Sequence, residues 1–230
     1  MRIAQGVTLS APWCTVTAVT ADEIVANLDR VLPEQERVLA QAARNAEIGI
    51  KGNSAVYRAF TDLDFFALTV DFDLRVLLRN LLAHPQSRLT AEKFLVLALE
   101  EADESVDNMI NRLLGAIRRA GSDDPAHDAF DFEIVRVAKV EFDDAMAPMR
   151  ADTDFTQTLR LIRNTVSAHV VGDDVGIQNG VIWVLTRENV PRNAEGVMRS
   201  QVVYYATSTL SALNGLSRAL RRAVKAAGDD

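Results

Sequence analysis

Apolar residues along this chain recur mainly at intervals of three and four, the spacing of one face of an α-helix. The clearest seam is Phe60, Leu63, Ala67, Val70, Leu74, Leu77 and Leu81. It predicts a helix over residues 56–83, stopped at Pro85 because the residue before a proline avoids the helical region. An earlier helix begins at Thr20-Ala21-Asp22-Glu23, a capping box flanked by the apolar pair Val19 and Ile24. In that motif the threonine and the glutamate each satisfy a backbone N–H of the other. Pro33 predicts a kink in this helix or a second start at Glu34. Gly49-Ile50-Lys51-Gly52-Asn53 predicts its end in a plain connecting loop.

Further on, Thr90 is the expected cap of a helix whose later seam is Val106, Met109, Ile110, Leu113 and Ile117. Arg118 and Arg119 stand at its C-terminal end, where cations suit the helix dipole. Gly121 to Pro125 reads as a loop. Residues 130–142 fit two periods: Phe130, Phe132 and Ile134 alternate like a strand, whereas Phe130, Ile134, Val137 and Ala138 step like a helix. The absence of turn residues between Asp128 and Ala147 favours helix, since the run is long for one strand. A further helix is expected from about Asp154 to Val171, with the seam Phe155, Leu159, Ile162, Val166 and His169, and Gly172-Asp173-Asp174 breaks it. Asn179-Gly180 between short apolar flanks predicts a small β-hairpin near residues 175–185. A long helix from about Glu195 to Ala226 closes the pattern. The expectation is a mainly α, single helical domain over residues 1–230. Residues 1–19 would form an N-terminal arm, and residues 20–230 a bundle of long antiparallel helices.

Composition narrows the setting. The chain has 230 residues, of which 48% are apolar and 25% charged, an ordinary globular balance. Its single cysteine, Cys14, cannot close an internal disulfide, and with three scattered histidines it offers no usual metal-ligand spacing. No cofactor or metal is therefore expected. Neither a secretion signal nor a run of about 18–20 apolar residues is evident, so the expected location is cytoplasmic, with no membrane partner. The net charge of −7 argues against a broad basic surface that coats nucleic acid. It leaves room for a small cationic site.

One stretch concentrates chemistry: Leu161-Ile162-Arg163-Asn164-Thr165-Val166-Ser167-Ala168-His169. A guanidinium holds a phosphate through paired donors, and an imidazole moves a proton near neutral pH. Asn164, Thr165 and Ser167 lie between them and can bind phosphate oxygens. Arg163 followed by Asn164, with His169 beyond, resembles the Arg-x4–6-His motif of HEPN-domain proteins, small helical proteins of which many are RNases in toxin–antitoxin and phage-defence systems. The resemblance implies a HEPN-like helical bundle and a metal-independent endoribonuclease, acting on RNA in a toxin or antiviral role. The product would be a 2′,3′-cyclic phosphate. In that role Arg163 and His169 would be catalytic, and Asn164, Thr165 and Ser167 would bind substrate. It also implies a homodimer that joins two such helices around one phosphate, with an antitoxin or regulatory protein as a further partner. Helix geometry agrees, because residues six apart at roughly 100° each stand about 120° apart, so one straight helix cannot close both groups on one ligand.

A second copy, Arg79-Asn80-Leu81-Leu82-Ala83-His84, carries the same signature one residue shorter. Its histidine has only leucine and alanine between it and the Arg-Asn pair and stands just before Pro85. A histidine at a helix end can cap carbonyls and gain from the dipole without any catalysis. The same bland role is open to His169. The alternative function is accordingly a non-catalytic, HEPN-like helical protein that binds a nucleotide or a protein partner. A capping role is preferred for His84, and catalysis is assigned to Arg163 and His169.

Overall fold

A computed structural model of the chain describes residues 20–84, 88–120, 124–153, 155–157, 159–160 and 195–225. Within them the protein is mainly α-helical. The elements are α1 (Ala21–Lys51), α2 (Ala55–Ala83), α3 (Arg88–Glu101), a π-helical segment (Ala102–Val106), α4 (Asp107–Arg119), the single turn α5 (Ala126–Ala129), α6 (Phe132–Ala151) and α7 (Glu195–Ala223). Among the described residues the one β-bridge pairs Phe130 with Val224, and there is no strand.

The capping box forms at the start of α1. Thr20 Oγ1 accepts from the Glu23 backbone N–H at 3.3 Å, and Glu23 Oε2 accepts from the Thr20 backbone N–H at 2.8 Å. Pro33 neither ends the helix nor starts another; α1 runs through it as one element. Proline in a helix interior removes one backbone bond. Here Leu28 on one side, and Ala42 and Ala46 on the other, are all buried, so both halves of the helix are held by packing. The helix also continues through Gly49 to Lys51, and Gly52 caps it by donating its N–H to the Ile48 carbonyl at 3.0 Å. Ser54 then caps α2 by accepting from the Tyr57 N–H at 3.1 Å.

These short-range features fold α1 and α2 into an antiparallel pair. Gly49, near the end of α1, lies against Thr61 near the start of α2. At the opposite end, Arg79 of α2 reaches Asp29 of α1. α6 and α7 form a second antiparallel pair. Phe130 and Val224 bridge at one end, Thr209 meets Met146 in the middle, and Tyr205 reaches Asp152 at the other end. The core between the pairs is continuous: Leu63 and Leu74 of α2, Leu99 of α3, Leu113 of α4, Phe142 of α6 and Leu213 of α7 are fully buried in one cluster. Burying side chains of this size contributes about 1.5–3 kcal/mol each.

The π-helical segment is tied to α6 by charge. Arg150 donates to Asp103 at 2.6 Å and to Asp143 at 3.0 Å, and Lys139 pairs with Asp107 at 2.7 Å and with Asp143. Burial works to lower the Lys139 pKa, but the bonds from Asp107 and Asp143 outweigh it and hold the ammonium above its usual range.

Three local expectations are corrected. α3 begins at Arg88, so Thr90 lies inside the helix and is not its cap. The run over residues 130–142 is helical from Phe132 on. Phe130 itself is extended, with φ −130° and ψ 145°, because its backbone pairs with Val224. α7 ends at Ala223 for the same reason, and Val224 is left 50% exposed.

Candidate functional site

The segment Leu161–His169, with Arg163, Asn164, Thr165, Ser167 and His169, lies outside the described residues. So do the hairpin expected near residues 175–185 and the arm of residues 1–19. What leads into the segment is described. After α6, Asp152 starts a helical stretch by accepting from the Phe155 N–H at 3.1 Å through Oδ1. Its other oxygen, Oδ2, accepts from the Tyr205 hydroxyl of α7 at 2.8 Å. Burial, followed by this bond to a carboxylate, raises the Tyr205 pKa to about 12, so the phenol keeps its proton and stays a donor. Phe155 and Leu159, the first two members of the expected seam, are buried, and the Phe155 ring lies 4.6 Å from that of Tyr205. The stretch that leads towards Arg163 is therefore started by a local cap and anchored to α7 by a hydrogen bond and a ring contact.

The second Arg-Asn-His copy is fully in view, at the end of α2. Arg79 Nε lies 2.5 Å from Asp29 Oδ1, and this carboxylate raises the arginine pKa first through the hydrogen bond and then through its charge. His84 is the C-cap residue of α2, exposed, with its backbone N–H donating to the Asn80 carbonyl at 3.1 Å. Arg79 thus joins two helices, and His84 ends one of them.

A cavity of about 770 Å³ opens between α1, α2, the turn at α5 and the end of α7. Its aromatic wall is Tyr57, Phe60 and Phe130, with Phe60 and Phe130 stacked at 4.3 Å between centroids. Asp64, one helical turn beyond Phe60, lines the same space, and the exposed Arg221 comes from α7. Asp64 Oδ1 is buried and meets no hydrogen-bond donor. Burial pushes the Asp64 carboxyl above its usual range, and the positive charge of Arg221 partly opposes the shift. The sequence did not single out Asp64 or Arg221. The one available signal was an acidic residue one step from the buried position Leu63, and that also fits a solvated helix edge.

Among the described residues no group of three or more histidine, cysteine, aspartate or glutamate side chains converges as a metal site would require. No described helix is long and apolar enough to cross a membrane. Compared with models of known protein families, with curated proteins and with solved structures, the chain matches none.

Proposed function

We propose that the chain is a metal-independent endoribonuclease of HEPN type, acting as a homodimer. The observation that carries this reading is the grouping of Arg163, Asn164 and His169, with Thr165 and Ser167 between them, in one run whose apolar seam continues from buried Phe155 and Leu159. The state of the second copy supports the choice, because Arg79 is engaged by Asp29 and a structural role accounts for it.

The chemistry follows from the residue types. The ribose 2′-oxygen attacks the adjacent phosphorus and gives up its proton to a base, and the bond from phosphorus to the 5′-oxygen breaks as that oxygen takes a proton from an acid. A 2′,3′-cyclic phosphate and a free 5′-hydroxyl result. His169 serves as one of the two proton-transfer groups, and its counterpart on the second subunit supplies the other. Arg163 stabilises the charge that builds on the phosphoryl oxygens, Asn164 orients either side chain, and the Thr165 and Ser167 hydroxyls bind phosphate oxygens. A single locally cationic site of this kind is compatible with the net charge of −7. A toxin or antiviral role, with a protein partner that restrains cleavage, belongs to the same reading.

The test is RNA cleavage in EDTA. The wild-type chain should cut, and His169→Ala should cut about 10²–10⁴-fold more slowly, the usual worth of general acid–base catalysis. Arg163→Lys should not restore what Arg163→Ala loses, because a point charge cannot reproduce paired donors. Cleavage that survives His169→Ala unchanged would remove the proposal.

A further inference from the structure

The cavity between α1, α2, the turn at α5 and the end of α7 is built from residues that the proposed RNA-cleaving role does not use. Its volume of about 770 Å³ falls within the range of small-molecule sites, roughly 300–1,000 Å³. It also has the composition of one, a mostly apolar and aromatic wall with a few charged groups set into it.

Two of those groups constrain the ligand. Asp64 Oδ1 is buried without a donor, and a buried polar atom left unmatched is costly. An ionised carboxyl offers acceptors only, so its complement is a group with N–H donors. Two parallel donors match a carboxylate best, since both of its oxygens are then used. The opposite requirement comes from Arg221, an exposed cation on the same cavity, whose complement is an anion. Tyr57, Phe60 and Phe130 line the same cavity and suit a flat ring. A ligand with a donor-pair edge, a planar body and an anionic tail meets all three conditions.

We propose that this cavity binds a purine nucleotide of the guanine type. The N1–H and 2-amino donors of its base face Asp64, the ring lies against the aromatic wall, and the phosphate lies at Arg221. Guanine fits where adenine does not, because the same edge of adenine carries a ring-nitrogen acceptor that a carboxylate repels. Cytosine and uracil present at most one donor beside an acceptor.

The test is calorimetric titration of the full chain with GMP, AMP and guanosine, in the absence of RNA. GMP should bind, AMP should bind at least tenfold more weakly, and guanosine should fall between zero binding and GMP. Asp64→Asn should abolish the preference for GMP over AMP. Arg221→Gln should weaken GMP binding while leaving guanosine binding unchanged. Arg221 is exposed, so this second variant keeps the test valid if Asp64→Asn were misfolded. No heat with millimolar GMP, equal binding of GMP and AMP, or unchanged GMP binding by both variants would overturn the assignment. Binding is measured apart from cleavage, so either claim can fail while the other stands.

Discussion

Replacing Gly49 by alanine tests the packing of α1 on α2 at a single contact. A Cβ at this position would stand 2.2 Å from Thr61 Oγ1, more than an ångström inside ordinary contact. Its other neighbours, Thr61 Cβ at 3.4 Å and the Arg58 Cα at 3.5 Å, are at or near van der Waals distance. The clash is thus with one oxygen. Thr61 cannot easily turn away, because it is buried, its Oγ1 bonds to the Tyr57 and Arg58 carbonyls at 3.1 Å each, and β-branched side chains have few helical rotamers. Overpacking of this kind costs about 1–3 kcal/mol. Against it stands the gain of alanine over glycine in a helix, about 0.8–1 kcal/mol. Gly49→Ala should therefore destabilise the protein by up to about 2 kcal/mol, the difference of these two ranges. Thr61→Ala removes the offending oxygen, and in that background Gly49→Ala should be neutral or stabilising by up to about 1 kcal/mol. Urea unfolding of the four chains gives the coupling, read from midpoints at constant slope. An equal loss from Gly49→Ala with and without Thr61→Ala would refute the reasoning.

The remaining expectations concern charge and the approach to the motif. The folded pKa of Asp64 is raised above its ordinary 3.8, so ionised Asp64 costs stability above that raised value, and the cost fades as pH falls towards 3.8. Asp64→Asn should accordingly raise the Tm at pH 7, with a difference that shrinks on acidification; a lower Tm at pH 7 contradicts this. Tyr205→Phe should cost about 1–2 kcal/mol in urea unfolding through the lost bond to Asp152. Asp152→Ala should cost more, since the cap at Phe155 is lost too; equal costs would count against the dual role of Asp152. Arg79→Ala and His84→Ala should leave RNA cleavage within a few fold of wild type, and a His84→Ala chain that folds but does not cut would reverse the choice between the two copies.

Much of the helical layout was legible because its signals are local. The Thr20–Glu23 capping box and the seam of α2 each need only a few neighbouring residues, and both formed as expected. Where the reading slipped, a contact distant in sequence decided the outcome. The stretch Gly49–Asn53 does end α1, at Lys51 with Gly52 as its cap, but the sequence does not show that Gly49 lies within the helix where Thr61 approaches too closely for a side chain. Pro33 left open a second helix start at Glu34, but with burial on both sides α1 runs through it as one element. Phe130 left the helical pattern because Val224, far along the chain, pairs with its backbone. The cavity was illegible for the same reason, since Asp64 and Arg221 share it only after α2 and α7 have packed. Of the candidate catalytic run, only the lead-in at Asp152, Phe155 and Leu159 falls among the described residues.

The central claim, that Arg163 and His169 cleave RNA through its own 2′-hydroxyl, turns on one substrate atom. An RNA that the protein cuts at a defined position is prepared with a single 2′-deoxy nucleotide on the 5′ side of that bond, and cleavage is followed in EDTA. The substituted bond should remain intact while the unsubstituted RNA gives a 2′,3′-cyclic phosphate end. Cleavage of the deoxy-substituted bond at the normal rate would contradict the mechanism and the roles it gives to Arg163 and His169.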